Sequence, residues 1–168
     1  MSLESVQQFF KQHAPDIPVL VTEASSATVA EAAAAHGVEP GRIAKTLSLR
    51  VREQILLVVT SGMARLDNRK VKDVFGGRAS MLGGHEVENI TGHPVGGVCP
   101  FGLARPLPVY CDVSLKAFDT VFPAAGARNS AVRISPEWLA QLVGARWVDV
   151  CQGGSTAGKS PATSTATG

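Results

Sequence analysis

An alternation of apolar and polar side chains predicts a β-strand over residues 42–52. One face of this strand carries Ile43, Lys45, Leu47, Leu49 and Val51. A strand directs successive side chains to opposite faces, so Lys45 shares its face with four aliphatic residues. An unpaired ammonium group on such a face is costly. Either the lysine buries its stem and raises its amine to the rim, or the amine has a partner or a chemical role.

The other helices and strands are predicted from the spacing of apolar residues and from the capping, glycine and proline residues that bound them. The continuous apolar run at 55–59 predicts a central strand that is buried on both faces. Helices are predicted where a capping residue precedes an apolar periodicity that glycine or proline ends. These helices follow Ser2, Thr28 (with Glu31 as a capping box), Asp67 or Asn68, and Ser135, and a short one covers 85–91. Short strands are predicted at 17–21, 109–113, 120–122, 131–134 and 146–150.

Several of these strands follow one another through short links, so strict βαβ alternation fails. The order therefore predicts an α+β fold with a mixed or mainly antiparallel sheet. We expect one domain over residues 1–151. The segment 152–168 is rich in Gly, Ser, Thr and Ala and is predicted to be a disordered tail.

Composition adds limits rather than a function. The chain has 168 residues, of which 45% are hydrophobic and 18% charged, as expected for one globular domain. Its net charge of +2 is too small to indicate nucleic-acid binding by bulk charge, so such binding needs a local patch. Arg65, Arg69, Lys70 and Lys72, the basic cluster, surround one predicted helix. They are either a solvated face or a contact for a phosphate backbone.

The cysteines and the apolar runs bear on the compartment. Three cysteines without a Cys-x-x-Cys pair argue against a disulfide framework or a thiolate zinc site. The four histidines lack metal-ligand spacing, so neither a metal nor another cofactor is expected. The amino terminus does not resemble a signal peptide, and no apolar run approaches the roughly 20 residues that span a bilayer. We therefore expect a cytoplasmic protein without a membrane contact.

The segment 91–103, TGHPVGGVCPFGL, is the second unusual feature, and we call it the glycine loop. Its bare amides at Gly96 and Gly97 could donate to a carbonyl or a phosphate, although the segment could also be a plain structural loop. It lacks the lysine of a phosphate-binding Walker loop. Cys99 lies near His93 and could be a nucleophile, but a lone cysteine is more often a small buried hydrophobe.

Four segments taken in order resemble a known family. RIAKTLSLR, ILLVVTSGMARLDNRKVKDVFG, TGHPVGGVCPFGL and AAGARNSAVRISPEWL are similar to the YbaK-like aminoacyl-tRNA deacylases. These are free-standing relatives of the editing domain in bacterial prolyl-tRNA synthetases. The resemblance covers about residues 19–148. It implies a strongly curved, barrel-like mixed sheet flanked by helices, and an enzyme that hydrolyses the ester between a wrong amino acid and its tRNA.

The resemblance also implies roles for single residues. Lys45 matches the lysine on which the family's activity most depends, and Gly96 and Gly97 match the loop that faces the aminoacyl carbonyl. Thr46 stands where the alanine-specific branch tends to have asparagine, which leans away from alanine specificity, and Asn129 stands where many relatives carry glycine. The remaining substrate-binding residues expected on this basis are Leu47, Val29, Pro100, Gly126 and Arg128.

The resemblance implies ester hydrolysis by direct water attack, either unaided or assisted by the substrate's own hydroxyl or thiol. Lys45 could act as a charged anchor for the tRNA terminus, polarise the carbonyl, or serve as a neutral base. Small side chains are the expected guests, first in Cys-tRNA(Pro) or Ala-tRNA(Pro). The expected partners are aminoacyl-tRNA and prolyl-tRNA synthetase, with the chain a monomer or a homodimer. A non-catalytic tRNA- or synthetase-binding module and a small-ester hydrolase that needs no tRNA remain alternatives.

Overall fold

A computed structural model of the chain describes residues 2–153. Five α-helices lie within these residues: α1 (Ser2–His13), α2 (Val29–His36), α3 (Asn68–Phe75), α4 (Gly84–Thr91) and α5 (Pro136–Val143). The strands are β1 (Leu20–Val21), β2 (Ile43–Val51), β3 (Gln54–Ser61), β4 (Ala79–Met81), β5 (Val109–Asp112), β6 (Phe122–Pro123), β7 (Ser130–Ala131) and β8 (Arg146–Val148). The α+β class predicted from the sequence is confirmed.

The main sheet is mixed and open. Its strands run in the order β4-β2-β3-β5-β8, with β6 beside the first residues of β2. The pairs β2–β3 and β2–β4 are antiparallel, whereas β3–β5, β5–β8 and β2–β6 are parallel. Because β4 and β8 stand at opposite ends and do not pair, the sheet does not close, and the expected barrel-like form is met only loosely. Strands β1 and β7 form a separate two-stranded ladder.

Strand β3 is buried on both faces, as its apolar run predicts. Leu57 and Val59 pack into the core that includes residues of α1 and α5. Leu56 and Val58 pack on the opposite side, in a cluster with Val71 of α3. Thus α1 and α5 cover one face of the sheet, and α3 covers the other.

The helix boundaries follow the predicted caps. The Thr28 side chain accepts a hydrogen bond from the Glu31 N–H, and Asp67 caps α3 in the same manner. Ser135 caps α5 by accepting from the Trp138 N–H. Ser2 is an exception, because it lies inside α1 and its hydroxyl bonds to other segments of the chain.

The short elements differ most from expectation. The strand predicted at 17–21 is reduced to Leu20–Val21, the one at 131–134 to Ser130–Ala131, and β4 was not predicted at all. Of the predicted tail at 152–168, residues 154–168 lie outside the described residues. None of the helices in the range 2–153 has the length and hydropathy needed to span a membrane.

Candidate functional site

A cavity of about 430 Å³ lies between β2, the start of α2, α4 and the glycine loop. Its wall combines small polar residues with apolar ones. The polar residues are Ser26, Thr28, Thr46, Ser48 and Ser130, and the larger apolar ones are Val29, Ile43, Met81, Leu82, Val87, Val95, Val98 and Phe122. Lys45 and Gly96 also line the cavity. Strand β2 and the glycine loop, the two unusual features of the sequence, therefore meet at one site.

Strand β2 contributes small polar side chains to the cavity. Ser48 is buried, and the Thr46 hydroxyl is buried without a hydrogen-bond partner in the described part of the chain. A buried hydroxyl without a partner is costly, so natural proteins rarely keep one unless something else binds it. Thr46 is thus a group that a ligand in this cavity could satisfy.

The Lys45 amine is half-buried and has defined partners. Its Nζ donates to the Gly62 carbonyl at 3.2 Å and to the Ala64 carbonyl at 2.6 Å, in the turn that follows β3. Burial lowers the pKa of Lys45, the nearby Cys151 raises it, and the Arg65 guanidinium lowers it further. No hydrogen bond within residues 2–153 joins the amine to the glycine loop.

The turn that Lys45 holds is packed against the cavity wall. A Cβ atom added at Gly62 would lie 2.3 Å from the Pro40 carbonyl oxygen and 2.8 Å from a Val29 methyl. Since Val29 lines the cavity, the lysine fixes a segment that abuts the site.

The two neighbouring glycines of the loop serve different purposes. Gly96 has φ +94°, and an added Cβ would lie 2.8 Å from the Cβ of Ala27. A Cβ at Gly97 would lie 2.7 Å from the Ala127 backbone nitrogen. Both positions therefore require glycine, the first for its backbone angle and the second for close backbone approach.

Only one of these two amides can donate to a substrate. The Gly97 N–H already donates to the Pro94 carbonyl at 2.9 Å, and the Gly97 carbonyl accepts from the Gly126 N–H at 3.0 Å. The Gly96 N–H has no hydrogen-bond partner among residues 2–153, and Gly96 lines the cavity. Of the two amides expected to donate, the Gly97 N–H is thus already engaged within the protein.

The Gly126–Arg128 segment stands directly behind the loop. Gly126 is buried and faces α1, where an added Cβ would lie 2.7 Å from the Ser2 carbonyl oxygen. Arg128 is exposed, and its Cγ would lie 3.3 Å from a Cβ at Gly96. The stem of Arg128 therefore packs against Gly96, although Arg128 does not line the cavity.

Four of the expected substrate-binding residues do not line the cavity, namely Leu47, Pro100, Gly126 and Arg128. Leu47 packs with Leu49 and Val51 on the opposite face of β2, because strand alternation separates it from Thr46. Pro100 is buried within the glycine loop and does not line the cavity.

The thiol of the glycine loop is not a nucleophile. Cys99 is fully buried, and burial raises the pKa of its thiol to about 12. Its sulfur lies 3.5 Å from Nε2 of His93, but that ring is also fully buried. Neither residue lines the cavity, so this pair belongs to the core.

The basic cluster is split by its pairing. Arg65, Arg69 and Lys72 are exposed, whereas the Lys70 amine donates to Asp149 at 3.0 Å and to the Cys151 carbonyl at 2.9 Å. Lys70 is thus engaged within the protein, and the other three cations are more accessible to a phosphate backbone.

Sequence reasoning missed several residues of the wall. Ser48 could have been found, because Ala44, Thr46 and Ser48 form a face of small residues on an otherwise aliphatic strand. Met81 and Val95 are 60% and 52% exposed and line the same cavity, although segments far apart in sequence carry them. No group of three His, Cys, Asp or Glu side chains that could bind a metal is present in residues 2–153.

Comparison with known proteins places these features in a family. Residues 23–142 match the family described as the aminoacyl-tRNA editing domain. An uncharacterized protein of Bacillus subtilis (strain 168), YwhH, is 49% identical over 154 residues, covering 90% of this chain and 98% of YwhH. The proline–tRNA ligase of Bacillus licheniformis is 31% identical over 104 residues, which are 61% of this chain but only 18% of the ligase.

Solved structures give the same picture. The crystal structure of a proposed trans-editing enzyme for prolyl tRNA synthetase superposes with a TM-score of 0.83 at 34% identity, covering 90% of this chain and 98% of that one. The crystal structure of a hypothetical protein superposes with a TM-score of 0.81 at 31% identity, covering 88% of this chain and 99% of its own.

Proposed function

This chain belongs to the aminoacyl-tRNA editing domain family, and from that membership we propose that it is a trans-editing deacylase. It would hydrolyse the ester that joins a small, wrong amino acid to the 3′ end of a tRNA, with Cys-tRNA(Pro) and Ala-tRNA(Pro) as first candidates. One observation carries the proposal: Lys45, Thr46 and Gly96 all line the same cavity.

The reaction needs a water, a hydrogen-bond donor for the developing oxyanion and a proton for the leaving ribose oxygen. Water adds to the ester carbonyl carbon, the carbonyl oxygen becomes an oxyanion, and the bond to the ribose oxygen then breaks. The water's proton ends on that ribose oxygen, so the products are the free amino acid and an intact tRNA. The Gly96 N–H is the available backbone donor for the oxyanion, and one such donor is worth about 3–4 kcal/mol.

Lys45 is proposed to act as an ammonium rather than as a neutral base. Two carbonyl oxygens accept from its Nζ, and their dipoles favour the positive charge against the desolvation that lowers its pKa. An ammonium has three N–H donors, so one remains for the substrate. It would attract the ester carbonyl or the terminal phosphate while its own position stays fixed by the turn.

The wall of the cavity supports a preference for small side chains. Thr46 and Ser48 offer hydroxyls to the substrate's α-ammonium or to a small polar side chain. Cysteine, alanine and serine would fit among such residues. A second, hydrolytic selection is needed because one methylene changes binding in an apolar pocket by only about 10–200-fold.

Direct attack by water is favoured because the core thiol is protonated and buried. The exposed cations Arg65, Arg69 and Lys72 would contact the tRNA backbone outside the cavity. Such contacts position a nucleic acid without reading its sequence.

The test is a panel of charged tRNAs that carry the proline anticodon, loaded with cysteine, alanine or serine and assayed for amino-acid release. We expect release from at least one member and a loss of about 100-fold or more in kcat/KM for Lys45→Ala. Lys116→Ala is the matched control, because that amine lies 4.5 Å from the Trp147 ring and outside the cavity.

Two results would overturn the proposal. Binding of tRNA without cleavage of any member would identify a non-catalytic module. Equal cleavage of a simple aminoacyl ester without tRNA, insensitive to salt, would identify a small-ester hydrolase, since tRNA contacts weaken steeply as salt rises.

A further inference from the structure

A hydrogen-bonded network lies behind the glycine loop and outside the cavity. His93 is fully buried, and its Nε2 lies 2.7 Å from the Phe101 carbonyl oxygen. Its Nδ1 lies 2.6 Å from the Ser2 hydroxyl of α1. The imidazole therefore bridges the two ends of the glycine loop and ties the loop to the first turn of α1.

The same serine reaches the segment that supports the diglycine. The Ser2 hydroxyl lies 2.6 Å from the Gly126 carbonyl oxygen, and the Gly126 N–H donates to the Gly97 carbonyl at 3.0 Å. A series of close polar contacts thus runs from His93 through Ser2 and Gly126 to Gly97, the neighbour of Gly96.

The proton positions follow from the acceptors. A carbonyl oxygen can only accept, so Nε2 of a neutral His93 carries the proton and Nδ1 holds a lone pair. The single Ser2 proton then faces two acceptors, Nδ1 of His93 and the Gly126 carbonyl. Because both contacts are short, a small movement of the Ser2 side chain changes its hydrogen bonding to His93 and to Gly126 together.

A serine 2.6 Å from a histidine resembles a nucleophile with its base, but the location excludes that role. Neither Ser2 nor His93 lines the cavity, and the ring is wholly enclosed by the core. The network also makes no contact with the basic cluster. Its described partners are the carbonyls of Phe101 and Gly126, the Thr91 hydroxyl and the buried Cys99 thiol.

We infer that Ser2 and His93 are positioning residues for the deacylation that is proposed above, and the inference rests on that function. They stabilise the hydrogen bond from the Gly126 N–H to the Gly97 carbonyl and thereby fix the direction of the Gly96 N–H. An amide that must meet a developing oxyanion loses its effect when it is displaced by a fraction of an ångström. Ser2 and His93 therefore support the reaction, although neither lines the cavity.

The experiment compares Ser2→Ala with Ser2→Thr, which keeps the hydroxyl, and with Ser5→Ala as the matched control on the same helix. The Ser5 hydroxyl donates to the Ser2 and Gly102 carbonyls and does not touch His93. We expect Ser2→Ala to lower kcat by about 10- to 100-fold with KM changed by less than about twofold. Ser2→Thr should retain kcat, and Ser5→Ala should lower the melting temperature without lowering kcat.

A second measurement does not depend on substrate. Amide nitrogen and proton shifts of Gly96 and Gly97, recorded by NMR on the full chain, should move in Ser2→Ala and in His93→Gln but not in Ser5→Ala. If the wild type releases no amino acid from any tRNA while these shifts still move, the proposed function fails and the network's hold on the loop stands. If the wild type is active and Ser2→Ala leaves both kcat and the two glycine shifts unchanged, the positioning role is wrong.

Discussion

At the scale of single residues, we propose that the Thr46 hydroxyl is kept for a ligand, at a cost to the stability of the unliganded protein. It is buried and has no hydrogen-bond partner within residues 2–153, yet it lines the cavity. Leaving such a group unsatisfied costs about 1–3 kcal/mol. The cost is explained if the substrate supplies the missing hydrogen-bond partner. The Thr46 hydroxyl would then lower the free energy of unfolding while raising the rate of deacylation, and both can be measured.

Replacing Thr46 by valine keeps the shape and removes the hydroxyl. We expect Thr46→Val to leave the free energy of unfolding unchanged or to raise it by about 1 kcal/mol, while deacylation falls roughly 10-fold. The matched control is Thr60→Val on the adjacent strand, where the buried hydroxyl donates to the Ser61 carbonyl at 3.0 Å. That control should lose about 1 kcal/mol of stability and keep its activity. Urea unfolding and tRNA deacylation measure both quantities, and a destabilised but fully active Thr46→Val would contradict the assignment.

His93 makes a second prediction at this scale, on the pH dependence of stability. Burial lowers the pKa of His93 below its ordinary value of 6.5, and the hydrogen bond to the Phe101 carbonyl only partly offsets this. Below pH 6.5 the unfolded chain therefore takes up a proton that the folded chain refuses. Stability contributed by the neutral ring is complete above pH 6.5 and is lost as the pH falls from 6.5 towards the folded-state pKa.

Each such proton changes the free energy of unfolding by up to about 1.4 kcal/mol per pH unit. Wild type should lose stability between pH 7.5 and 5.5, and His93→Gln should show a flatter curve from a lower starting value. Burial also lowers the pKa of His36, so part of the slope will remain in the variant. Parallel curves for the two proteins in urea titrations would show that His93 titrates alike in both states.

At the scale of elements, helix α2 forms the side of the cavity opposite α4. Its cap Thr28 accepts from the Glu31 N–H at 3.1 Å, and Thr28, Val29 and Ala32 all line the cavity. Helix α5 has an equivalent cap, since Ser135 accepts from the Trp138 N–H at 3.1 Å, but it packs in the core away from the cavity. The two caps therefore have the same hydrogen-bond length, but only the Thr28 cap lies at the cavity.

Removing either cap should cost about 1 kcal/mol of stability. We expect Thr28→Ala to lower deacylation several-fold in addition, because the fraying first turn of α2 disturbs the wall. Ser135→Ala should lower only the melting temperature, and Thr28→Ser, which keeps the capping oxygen, should restore both properties. Equal activity in Thr28→Ala and Ser135→Ala would mean that the α2 cap has only a general structural role.

How far the sequence predicts the molecule depends on how local each signal is. The caps at Thr28 and Ser135, and the doubly buried strand β3, were predictable because pattern and punctuation lie within a few residues. Strand β4 has only three residues and forms through its pairing with β2, so no local sequence pattern predicts it. Leu47 was expected in the cavity wall from the resemblance, but it packs with Leu49 and Val51, and only the fold shows which residues of β2 meet the cavity.

The distribution of contacts explains why the network at His93 was missed as well. Its partners lie 91 positions away at Ser2 and eight positions away at Phe101, so the ring is a lone histidine in the sequence. Only the fold brings the start of α1 to the glycine loop. Similarly, Lys45 was identified as anomalous on its strand, but its carbonyl partners at Gly62 and Ala64 depend on how the turn after β3 folds back.

At the scale of the whole molecule, the two faces of the sheet differ in charge and in cover. Helix α3 lies on one face and carries exposed cations, including Lys72, whereas α1 lies on the other face and carries the exposed Lys11. The net charge of +2 gives little general attraction to nucleic acid. Any affinity for tRNA must therefore depend on which face meets it.

This difference makes Lys72→Gln and Lys11→Gln a pair of variants with the same change in net charge. If the α3 face contacts the tRNA backbone, Lys72→Gln should weaken tRNA binding and reduce the slope of log K against log salt by about 0.7–0.9. Lys11→Gln, on the helix that covers the other face of the sheet, is the charge-matched control and should change neither the affinity nor the slope if the α3 face is the contact. Binding is measured with a slowly hydrolysed charged tRNA between 50 and 200 mM salt, roughly the range in which phosphate contacts dominate. Equal slopes for the two variants would place the tRNA elsewhere, while kcat on saturating substrate should stay at the wild-type value in both, because neither lysine lines the cavity.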